Sequence, residues 1–263
     1  MPKLFDRRNP AADSGHDVLL GKVPEVTLIF WIVKIAATTL GETGGDAVSM
    51  SMHLGYLDAT GIFAVLFVLA VMLQIAATRF HPALYWTTIV ATTTVGTTLA
   101  DFADRSLGIG YAGGSSILLA ALLLTLAVWD RSLGSVSIRT VHSAKAETFY
   151  WITIMFSQTL GTALGDWTAS TAGLGYVGAA LVFSGLLAAV AAAYRWTRTS
   201  HVLLFWAAFV LTRPLGAVVG DFLDKPQAAG GLALGRFAAS AAILAFMAIC
   251  LARFPQRAAA RAH

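Results

Sequence analysis

The sequence has little charge, one cysteine and no catalytic signature. Only 12% of its 263 residues are Asp, Glu, Lys or Arg, against 57% hydrophobic. That balance excludes an ordinary soluble domain and marks an all-α polytopic membrane protein. The lone cysteine, Cys250, excludes an internal disulfide and any CxxC redox or metal pair, and it reads as a packing residue. There is no HExxH, phosphate loop or cofactor fingerprint, and the six histidines (His16, His53, His81, His142, His201, His263) are scattered. Neither an enzyme nor a cofactor is expected. The net charge of +4 does not point to nucleic acid, because the basic residues fall in short segments between apolar runs. Residues 1–24 contain Lys3, Arg7, Arg8 and Lys22 but no apolar core of signal-peptide length, and are expected to form a cytoplasmic tail.

What the sequence does have is a fourfold repeat. A Trp is followed ten residues later by a Gly and five after that by an Asp: Trp31/Gly41/Asp46, Trp86/Gly96/Asp101, Trp151/Gly161/Asp166 and Trp206/Gly216/Asp221. Nine residues past each Asp stands another Gly, followed by Tyr56, Tyr111 and Tyr176 in three copies and by Gly231 in the fourth. A bilayer core needs about 20 apolar residues per helix, and each repeat supplies two such segments. The predicted helices cover roughly 25–47, 58–78, 82–104, 112–130, 146–168, 176–194, 200–222 and 232–252. The organisation that follows is repeat 1 over 25–79, repeat 2 over 80–131, a cytoplasmic linker over 132–145, repeat 3 over 146–198, repeat 4 over 199–253 and a tail over 254–263.

Two crossings per repeat make all four repeats parallel, related by rotation about the membrane normal. The loops around Arg79, Arg131–Lys145 and Arg195–Arg198, with both tails, hold nearly all the Lys and Arg, whereas the alternate loops carry only Arg105 and Lys225. The positive-inside rule then puts both termini in the cytoplasm of a bacterial inner membrane. The bilayer is the expected partner, nucleic acid is not, and a homo-oligomer stays open.

Each Trp near a helix start reads as an interfacial anchor. Fifteen residues on, the Asp lies about 22 Å further along the axis, near the outer face. Residues four, seven and eight positions before the Asp share its helix face. They are Glu42, Thr97, Thr162 and Ala217; Thr39, Thr94, Thr159 and Pro214; and Thr38, Thr93, Gln158 and Arg213. A carboxylate above two turns of hydroxyls suits a polar path, although Thr also bonds its own helix backbone and small residues also serve close packing.

Repeats 1 and 4 break the pattern. Glu42 and Asp46 stand one turn apart as a candidate divalent-metal pair, and Met50, Met52 and His53 are candidate soft ligands whose plainer role is packing. Arg213 and Arg236 are expected to pair with Asp221 or a neighbouring Asp, either as a structural salt bridge or as an internal cation re-paired during transport. Pro214 is expected to kink its helix. Lys34 is expected to snorkel to the interface.

On these residues the chain resembles a bacterial membrane-protein family of four tandem two-helix repeats, each carrying a characteristic Trp, a repeat of unknown function. The resemblance covers 25–252, departs at Gly230-Gly231, and implies topology without a substrate. The function expected from the residues themselves is transport of a small cation, most readily manganese, along Glu42, Asp46, Asp101, Asp166, Asp221 and the Thr face. A passive channel and a non-transporting scaffold or sensor are the alternatives.

Overall fold

Three of the four first helices of the repeats start at a defined signal. Thr27 accepts a hydrogen bond from the Phe30 amide at 3.3 Å, Ser143 does the same for Ala146 at 3.2 Å, and Pro82 occupies the first turn of its helix. The computed structural model, which describes residues 22–141 and 143–259, has eight α-helices among those residues. They are α1 (Leu28–Asp46), α2 (Gly55–Ala76), α3 (Pro82–Asp101), α4 (Tyr111–Leu133), α5 (Ala144–Asp166), α6 (Gly175–Trp196), α7 (His201–Asp224) and α8 (Arg236–Arg253). The only strand-like pairing among the described residues is an isolated bridge between Pro24 and Ala258, which ties the two ends of the described chain together.

The odd-numbered helices form a closed inner ring in which α1 packs on α3, α3 on α5, α5 on α7 and α7 on α1. Each even-numbered helix lies outside the next inner one: α2 on α3, α4 on α5, α6 on α7, and α8 back on α1. Five helices, α2, α4, α6, α7 and α8, are long and apolar enough to cross a membrane. The three that fall short, α1, α3 and α5, carry the Thr, Gly and carboxylate residues of the repeat, and they bury them inside the ring.

Glycine explains how closely the ring packs. A methyl group on Gly41 would overlap the side chain of Thr93; one on Gly96 would stand 3.0 Å from Gln158 Cβ, one on Gly161 2.5 Å from Arg213 Cβ, and one on Gly216 2.6 Å from Thr38 Cβ. Each conserved-spacing Gly therefore receives the residue eight positions before the Asp of the next repeat, and repeat 4 closes on repeat 1. Replacing Gly41 by Ala is expected to lower stability by about 1–3 kcal/mol through overpacking. Gly44, with nothing within 4 Å of an added methyl, is the control, and Gly44→Ala should stabilise by about 0.5–1 kcal/mol through helix propensity. Thermal melts of the two variants in detergent decide between them.

The Trp end of the ring is sealed by aromatics. Trp86, Trp151 and Trp206 are buried, and Phe30, Tyr85, Tyr150, Phe205 and Phe209 pack among them, with the Tyr85 and Tyr150 hydroxyls hydrogen-bonded at 2.6 Å. The interfacial-anchor expectation for the repeat Trp residues is corrected for these three, because the helix starts converge and turn the rings inward. Only Trp31 is half-buried. The segment expected as a plain linker also contributes here. Gly134 ends α4 in the left-handed conformation, Ile138 and Val141 are buried in the same cluster, and the Val136 carbonyl accepts from Trp206 Nε1 at 3.0 Å.

At the opposite end the helices do not stop at the Asp. A π-helical turn follows α1, α3 and α5, at Ala47–Ser51, Phe102–Ser106 and Trp167–Thr171. Such turns recur at functional sites. In the fourth repeat α7 runs on without one, straight through Pro214, to Asp224.

Candidate functional site

The inner ring converts the shared helix face into layers around one axis. Four residues before the Asp, Thr97 and Thr162 face Arg213, whose Nη2 lies 2.5 Å from both hydroxyls and 2.9 Å from Glu42 Oε2, so its two hydrogens are shared among three acceptors. Arg213 is fully buried and Glu42 nearly so. The guanidinium of repeat 4 thus reaches the corresponding positions of repeats 1, 2 and 3 and stands across the axis. Arg213 pairs with Glu42, in place of the Asp partner expected from the sequence, because α7 packs directly on α1. Thr39, Thr94 and Thr159 are also buried, but their hydroxyls donate to Ile35, Val90 and Met155 of their own helices at 2.8–3.0 Å. They follow the backbone-bonding alternative.

The four repeat Asp residues are all buried and are bridged in pairs by two basic residues. Arg105 lies 2.9 Å from Asp101 and 3.1 Å from Asp166. Lys225 lies 2.9 Å from Asp221 and also pairs with Asp46. Each cation stands four residues after an Asp and reaches back to it and across to the next repeat. Since only repeats 2 and 4 carry one, the mouth of the ring has two-fold symmetry. Arg236 adds Asp224 at 3.1 Å, Asp46 at 3.6 Å and Ser51 Oγ at 3.1 Å.

Both bridging cations lie in the turns beyond the helices. Burial alone would lower the pKa of Lys225, but Asp221, Asp46 and Asp224 raise it by more, so the net shift is upward. For Arg105, burial is likewise outweighed by Asp101 and Asp166, and the net shift is again upward. Both stay charged at any pH the protein meets.

Carboxylates outnumber cations here. Glu42, Asp166 and Asp221 each offer an oxygen within 4.8 Å of the other two, and so do Asp46, Asp221 and Asp224. The sequence pairs Glu42 with Asp46; the structure gathers Glu42 with the Asp residues of repeats 3 and 4 and gathers Asp46 with Asp221 and Asp224. Of the soft-ligand candidates, Met52 and His53 are exposed, and the Met50 sulfur faces the Arg236 Nη2 at 3.1 Å. A cation against the thioether opposes a soft-metal role.

Sequence reasoning missed Arg105, Lys225 and Asp224. The signal was available for the two cations: both stand four residues after a repeat Asp, the i,i+4 spacing of a helical ion pair. Lys34 is a correction. It is 0% exposed, its ammonium lies 4.2 Å from the centre of the Phe209 ring, and it does not reach any interface. The cause is that α3, α7 and α8 all pack on α1, and Phe209 of α7 covers the ammonium.

The four two-helix repeats form a closed ring with a charged and hydroxylated interior, and five of the helices are long and apolar enough to cross a membrane. The chain belongs to the family described as Repeat of Unknown Function (DUF347), whose repeat matches four times, at residues 29–80, 84–134, 149–200 and 204–254. No curated protein and no solved structure matches it.

Proposed function

We propose that the protein crosses a bacterial inner membrane eight times, with both termini in the cytoplasm, and carries a small cation, a divalent metal such as manganese, along the ring axis. The observation that carries this reading is the meeting of Glu42, Asp166 and Asp221, three buried carboxylates from three different repeats, within 4.8 Å of one another. Hard divalent cations take oxygen ligands of this kind. The topology is supported by the charge distribution: Arg105, Lys225 and Arg236, the basic residues at the Asp end, are all engaged by carboxylates. The unengaged positive charge that orients a membrane protein therefore falls at the Trp end.

A carrier fits better than an open channel. Aromatic rings close the Trp end, ion pairs close the Asp end, and Arg213 lies between them. In this reading Lys225, Arg105 and Arg213 occupy the cation positions as internal counter-ions, and the transported ion displaces them in turn. The measurement is manganese flux into proteoliposomes, with magnesium, zinc, copper(I) and protons alongside. The expected result is selective flux that falls at least about tenfold in Asp166→Asn, the loss of roughly 1.4 kcal/mol of ion stabilisation. Undiminished flux in the folded variant, or no flux of any of these ions in the wild type, would overturn the assignment. A scaffold would instead show only a lowered melting temperature.

A further inference from the structure

The axis changes character on the Trp side of Glu42. Lys34 Nζ is fully buried and has no hydrogen-bond acceptor. Phe209, over which it sits, is one turn before Arg213 on α7. Arg213 uses only its Nη2; its Nε and Nη1 are unpaired. In the same layer, both polar atoms of the Gln158 amide and the Thr93 hydroxyl are fully buried without a partner. Glu42 pairs with Arg213, and among the described residues no carboxylate oxygen lies within 4.0 Å of Lys34 Nζ. The group therefore holds two basic side chains against one carboxylate, with several unsatisfied donors.

Buried charge without a partner costs several kcal/mol, and each unsatisfied buried donor adds to that cost. Water would satisfy donors but not charge. We infer that a small monovalent anion of chloride or formate size binds on the axis between Lys34 and Arg213, with Gln158 Nε2 and Thr93 Oγ1 as further donors. Ile89, Ile154 and Phe209, all fully buried at the level of Lys34, supply an apolar floor that disfavours a multiply charged, strongly hydrated ion. The site adjoins the carboxylate group through the Arg213–Glu42 pair, but its test does not depend on cation transport.

The test is the melting temperature of the purified full chain in detergent, titrated with sodium chloride, bromide or formate against gluconate at constant ionic strength. A rise of roughly 3–6 °C is expected at ten times Kd, growing beyond that with the logarithm of the anion concentration. The rise should vanish in Lys34→Met, which removes an unpaired charge and so retains the fold, and should weaken in Gln158→Leu. Bromide supplies a second readout, anomalous density on the axis beside Lys34. No anion-specific rise in the wild type, or an equal rise in Lys34→Met, would overturn the proposal and leave Lys34 as a neutral or water-bound amine. Chloride and formate arms that differ identify which of the two ions the site prefers.

Discussion

Arg213→Met lowers the stability of the protein by about 3–5 kcal/mol, because it strands Glu42 as a buried carboxylate without its cation. The loss is large since the Thr97 and Thr162 hydroxyls lose their common donor in the same step. Glu42→Gln in the wild-type background is costly for the reciprocal reason, leaving Arg213 unpaired. The double variant Arg213→Met/Glu42→Gln should recover most of either loss, since neither charge is then left alone. Chemical denaturation of all four proteins in detergent gives the coupling directly. Additive losses would mean that the 2.9 Å pair is not what holds the two groups in the bundle.

The second large effect lies at the Asp end. Lys225→Met removes the cation shared by Asp46 and Asp221 and leaves Arg236 as the neutralising group of that cluster. Melting temperature is expected to fall in metal-free buffer and to be restored by manganese. If the lysine competes with a transported cation for these oxygens, apparent manganese affinity should rise by about tenfold or more, since a unit charge at contact distance contributes at least ~1.4 kcal/mol of repulsion even at intermediate effective dielectric. An unchanged or weaker manganese affinity would make Lys225 a purely structural bridge. The pH dependence follows from the upward shift of the Lys225 pKa. Its contribution to stability is fully present below the ordinary lysine value of 10.5 and is lost only as pH rises through the higher folded value. Wild-type melting should therefore show no loss from this group between pH 7 and about 10.

These two variants also separate structure from transport. Arg213 and Glu42 are set deep in the ring, where both charges must be matched whatever the protein does. Lys225 sits at the rim, 13% exposed, the more accessible of the two cations.

The sequence by itself determined the repeat, the helix pairs and the polar face. A period of 3.6 residues puts positions four, seven and eight before each Asp on its side of the helix, so Glu42 with Asp46, Thr97 with Asp101, Thr162 with Asp166 and Arg213 with Asp221 were legible as faces of their own helices before any fold was known. The closure of four repeats into a ring, and the pairings across it, were decided only by tertiary structure. Helical spacing says which side chains share a face of their own helix and nothing about which helix stands opposite. Glu42 therefore belongs with Arg213, Asp166 and Asp221, and the four Asp residues divide into two pairs around Arg105 and Lys225, through contacts more than 45 residues apart in sequence. Lys34 and the repeat Trp residues show the same limit. Their distance from a helix end suggested an interface, but the inner ring surrounds them with other helices, and burial is a property of neighbours that a single helix does not contain.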